Sequence, residues 1–546
     1  MTVTSAAAPD HSSAPLAGIP ALVSLFSFFY YFRHNDLLLY GDAVAHINIA
    51  RRVFDSQTPG LQQLGTVWLP LPHLLMIPFI FLNAMWQNGT GGSIPSMVAY
   101  VFGVVGIFRL TRGMLAADFQ VNEAANPAAA VGAWAAALAY GANPNLIYMQ
   151  TTAMTESIYL ALFIWSVGYF AEFIRRSNQR EAGLTRCACC LAGAELTRYD
   201  GWFLAGAIGA AVVIITLRRW QDHGLHRLAA KFLLTIAVVP FLWLAYNSAV
   251  YGNALDFAIG PYSAQAIEQR VGAPNPALHN IGVAAIYFLK SAQLNMAEGN
   301  WSRFWLAAAL MAAGIAVWKL RTQSVSLLLL WVPLPFYAYS IAYGSVPVHV
   351  HTWWPFATFN QRYGLQLLPM LATSAGVLIA SIFLFFTGRR HTWKLVALML
   401  ALVVVSYASV WKAGPLCLQE ARKQWEIRSP LNSAVQRVVA QLPRNSRFLM
   451  DISEHVGIME QAGVPLRQVV NNENHRPWKR PSDPEGLWER ALADPPHYVD
   501  FVIVFDGDAV DQGANKASLT ELMEIHSTGQ PHAHIYLARH APNQSR

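Results

Sequence analysis

The chain has 546 residues, of which 54% are hydrophobic and only 13% charged, with 18 Trp and a mean hydropathy of +0.31. Those proportions describe a polytopic membrane protein. The formal charge of +7 does not mark a nucleic-acid binder. The arginines stand in short loops between apolar runs, as orientation by positive loops requires, and form no single basic patch.

The polar tail "MTVTSAAAPDHSSAP" lacks the basic region of a cleaved signal, and no small-residue cleavage site follows the apolar run around Phe26. That run is read as a retained first span behind a short disordered cytoplasmic tail, residues 1–16. "YGDAVAHINIARRVFDS" follows, residues 40–56, with Ala43, Ile47, Ala50 and Phe54 at helical spacing. Such a stripe predicts a helix lying along the membrane surface. Asp42 opens this helix, either as an N-cap that accepts the free backbone N–H groups of the first turn or as a general base at the water face. In "WLPLPHLLMIPFIFLNAMW", residues 68–86, Pro70, Pro72 and Pro78 interrupt the first half, so a re-entrant or surface-lying element is expected there.

Basic clusters at Arg109/Arg112, Arg175/Arg176/Arg180, Arg218/Arg219/Arg227/Lys231, Lys319/Arg321 and Arg389/Arg390/Lys394 belong on the cytoplasmic side by the positive-inside rule. Each gap between them holds two apolar runs around a polar turn. The turns containing Asn145, Arg198, residues 251–300 and residues 344–362 are therefore exterior. The result is about 11 spans, with the N-terminus inside and the C-terminus outside, and with Arg33, Arg51 and Arg52 outside against the bias. Cys187, Cys189 and Cys190 sit within an apolar run and read as small buried hydrophobes, while Cys417 stands alone.

Several ionisable residues lie at the exterior ends of these runs. Glu156 begins "SIYLALFIWSVGYF", where an acid also suits the helix dipole. In "LTRYDGW", Arg198 and Asp200 stand between two runs, and Glu195 lies close enough for a structural pair with Arg198; the rival role for Arg198 is to grip a phosphate. Arg362 in "FNQRYGLQLLP" is either a headgroup anchor or a bidentate phosphate ligand. His349 and His351 in "PVHVHTWW" lack a convincing third metal ligand and read as a polar loop. Asp42, Glu156, Arg198, Asp200 and Arg362 come from four separate exterior segments yet fall at one membrane face, which is how a cavity combining carboxylates and phosphate-binding cations is built.

After Trp411 the long apolar runs stop. "RFLMDI", "LRQVV", "DFVIVF" and "HIYLA" read as strands, and "SEHVGIMEQAG", "PEGLWERAL" and "SLTELMEI" as helices between them. The alternation predicts a soluble exterior α/β domain over residues 412–546 with a largely parallel sheet and a core of its own. No Gly-rich phosphate fingerprint opens any of its helices, which leaves nucleotide binding without support.

Taken in order, "YGDAVAHINIARR", "WLPLPHLL", "TTAMTESIYLALF", "LTRYDGW", "YNSAVYGNAL" and "QRYGLQLLP" resemble the C-type (GT-C) membrane glycosyltransferases, the superfamily of protein O-mannosyltransferases, oligosaccharyltransferases and lipid A aminoarabinose transferases. The resemblance covers most of residues 20–411 and implies a catalytic membrane domain over residues 17–411. It also implies transfer of a sugar from a polyprenyl-phosphate carrier to a glycan, lipid or protein acceptor at the exterior face of the plasma (inner) membrane. On that basis Asp42 becomes the base and Glu156 the second acid, with His46, Arg198, Asp200, Arg362 and Tyr363 holding substrate. The commonest first-loop pattern of the family pairs two adjacent acids, whereas Ala43 follows Asp42 here, and Glu195 stands where the family usually has an uncharged residue. No metal ligand is assigned and no cofactor is certain, though a divalent metal remains open. The soluble domain is expected beside the cavity mouth as an acceptor-binding lid. The alternative from another class is a polytopic transporter or lipid flippase, whose intramembrane charges would line a substrate path.

Overall fold

The computed structural model describes residues 13–118, 127–175, 179–272, 274–299, 301–320, 324–344, 346–386, 392–453, 455–474 and 484–538. Most of the expected tail and the basic residues Arg176, Arg321, Arg389 and Arg390 lie outside these. Among the described residues, nine helices are long and apolar enough to cross a bilayer.

The first is α1 (Ser13–Arg33), whose apolar window is only 22% buried in the protein and turns Leu22, Phe26 and Phe29 outward. After it come α2 (Gly41–Arg52), α3 (Leu71–Met76) and α4 (Asn83–Gln87). As the prolines lead one to expect, residues 68–86 form only these short pieces and a 3-10 turn, none long enough to cross. The bundle continues with α5 (Thr90–Asp118), α6 (Pro127–Gly141), the short α7 (Pro144–Met149), α8 (Glu156–Arg175), α9 (Arg180–Glu195), α10 (Asp200–Arg218) and α11 (His223–Tyr251). Two of these, α6 and α9, are shorter than a full crossing, and with them all eleven expected runs are helical.

The long connection after α11 is itself structured, as α12 (Asp256–Ile259), α13 (Ala264–Val271) and α14 (Ile281–Met296). Next come α15 (Trp301–Ile315), α16 (Ser324–Leu329), α17 (Pro333–Tyr343), a 3-10 segment over Gln361–Leu367 leading into α18 (Leu368–Phe385), α19 (Thr392–Ala413) and the amphipathic α20 (Leu416–Val439).

The soluble part holds β1 (Phe448–Leu449), α21 (Gly457–Ala462), β2 (Val469–Val470), α22 (Leu487–Ala493), β3 (Phe501–Phe505), β4 (Thr520–Ile525) and β5 (Ala533–Leu537), in the sheet order β2-β1-β3-β5-β4. β2, β1 and β3 run parallel, whereas β5 and β4 are antiparallel, so the sheet is mixed and not largely parallel. The expected helix "SLTELMEI" is strand β4. Its register shifts between Glu521 and Met523, and this bulge gives Leu519, Leu522 and Met523 the three-and-four spacing that imitates a helix.

Alternation along β3 sends Phe501, Ile503 and Phe505 into a core continuous with the membrane helices. Val502 and Val504 enter a second core with Leu449, Val470 and Trp488. The soluble part is therefore not packed on a core wholly its own.

α2 differs from the expectation most. Ala43, Ile47 and Ala50 are fully buried against protein, not lipid. A methyl on Gly92 of α5 would lie 3.5 Å from Ile47, and one on Gly457 of α21 would lie 3.0 Å from Val44. The helix is thus sandwiched between the bundle and the soluble part. Arg51 pairs with Asp55 at 2.8 Å and donates to the Ile80 carbonyl, while Arg52 reaches the Gln63 carbonyl. Both guanidiniums are thus held by partners within the protein.

Across the sandwich, Asn48 of α2 donates to the buried Glu460 of α21 at 2.7 Å, and Trp86 donates to Asn48. Burial raises the Glu460 carboxyl from 4.5 to about 8. The folded protein thus keeps a proton that the unfolded chain releases near 4.5, so stability falls as pH rises between the two values, by at most about 1.4 kcal/mol per pH unit. Thermal unfolding from pH 5 to 8 should show this decline in wild type and a flatter profile in Glu460→Gln; an identical slope in both would assign the decline to other groups.

Candidate active site

The five residues drawn together by the sequence argument meet in one buried ion network. Asp42 lies in the first turn of α2, but the N-cap residue is Tyr40 and the Asp42 side chain makes no capping bond. It pairs instead with the Arg362 guanidinium. Arg362 also faces Glu156 at 3.3 Å and Glu420 at 3.6 Å. Arg198 shares Glu156 at 3.4 Å and faces Asp200 at 3.3 Å. Glu195 is not its partner; the Glu195 backbone carbonyl accepts from Trp202.

Local structure explains the convergence. Glu156 and Asp200 are the first residues of α8 and α10, Arg198 lies in the turn between α9 and α10, and Arg362 lies in the 3-10 turn that enters α18. All therefore sit at one end of the bundle. The turn carrying Arg362 is gripped from α14, where Ser291 and Asn295 donate to the Gln361 carbonyl at 2.7 and 2.8 Å. Gly364 permits that grip, because a Cβ there would lie 2.6 Å from the Ala292 nitrogen and the Ser291 carbonyl carbon.

Around the ions is an aromatic shell. Tyr363 lies 5.2 Å from both guanidinium carbons, and Tyr40 lies 5.0 Å from that of Arg362. The Tyr337 hydroxyl accepts from Arg198 at 2.9 Å and donates to Asp200 at 3.2 Å, and the Thr155 hydroxyl accepts from Arg198 at 3.0 Å. His46 is buried and hydrogen-bonded to His73 at 2.8 Å, one imidazole donating to the other. Its ring lies beside Trp68, with centroids 4.8 Å apart. Burial, then the charges of Arg362 and Arg198, lower its pKa to about 3, so His46 is neutral at neutral pH.

Sequence reasoning missed Glu420, Tyr337, Thr155, His73 and Arg428. Glu420 accepts from the backbone N–H groups of Asn360 and Gln361 at 2.9 and 3.0 Å and so fixes the same turn that carries Arg362. Arg428 donates to the Leu38 and Leu39 carbonyls at 2.9 Å beside Asp42, and Gly41 makes room for it: a Cβ there would lie 2.6 Å from the guanidinium. Both lie on α20, beyond the last apolar run, and only spatial proximity reveals them.

The donor set does not fit a divalent cation. The carboxylates of Asp42, Glu156, Asp200 and Glu420 each face a guanidinium, and the neighbouring imidazole faces another imidazole. Among the described residues, the His, Cys, Asp and Glu groups able to converge on an ion lie on the soluble part instead.

A cavity of about 760 Å³ opens along α2 past this network. It is lined by Asn48 and Arg52 of α2, Thr66 and Trp68 of the segment between α2 and α3, and Tyr262 beyond α12, with Asn472 from the C-terminal α/β part.

The bundle, the broken segment after α2 and the C-terminal α/β part make up a GT-C fold. Solved structures that share it include two of one protein. That of ArnT from Cupriavidus metallidurans bound to undecaprenyl phosphate aligns with a TM-score of 0.58 at 12% identity, over 97% of this chain and 98% of that one. The apo form of the same protein aligns at 0.53 and 11% identity, over 96% and 98%. No family model matches the chain, and no curated protein matches it by sequence.

Glu420→Ala would leave two backbone N–H groups of the Arg362 turn without their acceptors and Arg362 without one counter-charge. Removing one partner of a buried ion pair costs about 3–5 kcal/mol, so thermal unfolding in detergent should show a marked loss of stability. Glu420→Gln, which keeps one acceptor, should fall between. A Glu420→Ala protein as stable as wild type would mean that the turn is held by α14 alone.

Proposed function

We propose that the protein is an integral-membrane glycosyltransferase that moves a sugar from a polyprenyl-phosphate carrier to an acceptor hydroxyl at the extracytoplasmic face of the plasma membrane. The observation that carries this reading is the unequal exposure of the network. The Asp42 side chain is 36% exposed, whereas those of Glu156, Asp200 and Glu420 are 1–2% exposed. One carboxylate can meet a water-borne acceptor while the others hold two guanidiniums in place. The ArnT structure of the same fold, which binds undecaprenyl phosphate, supports a polyprenyl-phosphate donor.

Asp42 takes the proton of the acceptor hydroxyl, and the freed oxygen attacks the anomeric carbon. The bond from that carbon to the carrier phosphate breaks on the opposite face, which inverts the configuration. The phosphate departs with the bonding pair and is stabilised by Arg198 and Arg362, whose planar forks suit it. Arg362 now directs its donors to Asp42, Glu156 and Glu420, so a carrier phosphate must displace one of these pairs. If it displaces the pair with Asp42, the base is released as the donor arrives. Glu156, shared by both arginines, acts as the second acid and keeps their spacing. Asp200 and Tyr337 hold Arg198, while Tyr363 stacks between the forks. Trp68, packed on His46, lines the cavity along α2, which is assigned to the acceptor. Asn472 and Ser453 close that cavity from the soluble part, in keeping with a lid.

Incubation of the purified protein with a labelled polyprenyl-phosphate sugar and candidate acceptors tests the reading directly. Asp42→Asn retains side-chain shape and removes the base, so turnover should fall about 10²–10⁴-fold with carrier binding preserved. Near wild-type turnover with the chemical step rate-limiting would remove Asp42 from the mechanism. In a cysteine-free background, impermeant thiol reagents applied from outside should label a cysteine at Gly529 and miss one at Asp222; the reverse pattern would place the site on the cytoplasmic side.

A further inference from the structure

The β4–β5 hairpin ends in imidazoles and carboxylates that no step of the proposed transfer uses. In sequence they are the "EIHSTGQPHAHIYL" stretch, with His526, His532 and His534 around one turn. His532 immediately precedes β5 and His534 lies within it, two residues apart and so on one face of the strand. Glu524 stands directly opposite His534 in the ladder.

Glu521 and Glu524 are three residues apart and would face opposite sides of a regular strand. The register shift between Glu521 and Met523 brings both to the histidine face, the kind of re-aiming for which bulges are used. Asp506, after β3, completes the group from the neighbouring chain segment.

The distances separate two kinds of contact. His534 makes a true hydrogen bond to Glu521 at 2.8 Å and a longer one to Asp506 at 3.2 Å. The remaining donor atoms stand farther apart: Glu524 Oε1 to His526 Nε2 at 3.5 Å, Glu524 Oε1 to His532 Nδ1 at 3.3 Å, and His532 Nδ1 to Asp506 Oδ2 at 3.6 Å. These exceed the length of a charge-assisted hydrogen bond. The two from Glu524 match the edge of a tetrahedron around zinc, which is about 3.3 Å for ligand bonds of ~2.0–2.1 Å.

We propose that Glu524, His526 and His532, whose ligand atoms lie within 4.8 Å of one another, form a zinc-binding site at the tip of the β4–β5 hairpin, with Asp506 at the end of β3 steadying His532 and held in turn by His534. Two imidazoles and one carboxylate, with water in the fourth position, are a set that zinc accepts and that magnesium, which demands octahedral oxygen, does not. The site would staple an edge strand whose residues 520–524 are all exposed. It lies on the soluble part, apart from the network around Arg362.

The test uses the full chain in detergent, purified without a polyhistidine tag, stripped with a chelator and dialysed against micromolar zinc or millimolar magnesium. Metal content measured by mass spectrometry should show one more zinc per chain in wild type than in His526→Ala/His532→Ala, and no magnesium retained by either. His534→Ala, which removes only an orienting partner, should weaken zinc binding about 10–100-fold. X-ray absorption of the zinc-loaded wild type keeps the test decisive should a variant misfold: nitrogen and oxygen neighbours alone are expected, with imidazole scattering. Equal zinc in wild type and double variant, no zinc in either, or sulfur neighbours from the cysteines would overturn the proposal.

Discussion

The site is organised by one guanidinium. Arg362 faces carboxylates from α2, α8 and α20, three elements that are far apart in sequence. A charge this deep in protein beside a bilayer is tolerated only when paired and hydrogen-bonded, and each of those pairings fixes an element. Asp42 is thereby directed at the arginine instead of at its own helix end. Glu420 joins the N-terminal part of α20 to the turn before α18, and Glu156 passes the constraint on to Arg198. The geometry of a two-arginine clasp with one exposed acid follows from satisfying buried charges.

The same helix connects the chemistry to the soluble part. α2 carries Asp42 at its first turn and lines the cavity with Asn48 and Arg52 farther along. Through Asn48 it is bonded to Glu460 of α21. Because the core beneath β3 is continuous with that of the bundle, movement of the soluble part would be felt along α2. An acceptor held between them would therefore meet the base at a position set by both.

Much of this was legible in the sequence, for identifiable reasons. Acids that open apolar runs, such as Glu156 and Asp200, announce both a helix end and a membrane face, so their meeting could be argued from parity alone. Glu420 could not, since it follows the last apolar run and reads as part of an amphipathic soluble helix. Tyr337 is one aromatic among many in an apolar stretch. The apolar stripe of α2 predicted burial correctly but not against what, because lipid and protein impose the same period. In β4 a bulge turned a strand pattern into a helical one, and the two antiparallel pairings of the sheet left no mark in the order of elements. The histidines flanking the β4–β5 turn were visible in sequence, but the bulge that gathers acids beside them was not.

The central claim is that Arg198 and Arg362 recognise the carrier by its phosphate. Equilibrium binding of polyprenyl phosphate and of the corresponding polyprenol to wild type, Arg198→Lys, Arg362→Lys and the double variant measures this most directly. Lysine keeps the charge but loses the bidentate fork. The account predicts weaker phosphate binding in each single variant, a non-additive loss in the double variant because both arginines share Glu156, and no change toward the polyprenol. Equal losses for both lipids, or no loss for the phosphate, would contradict it.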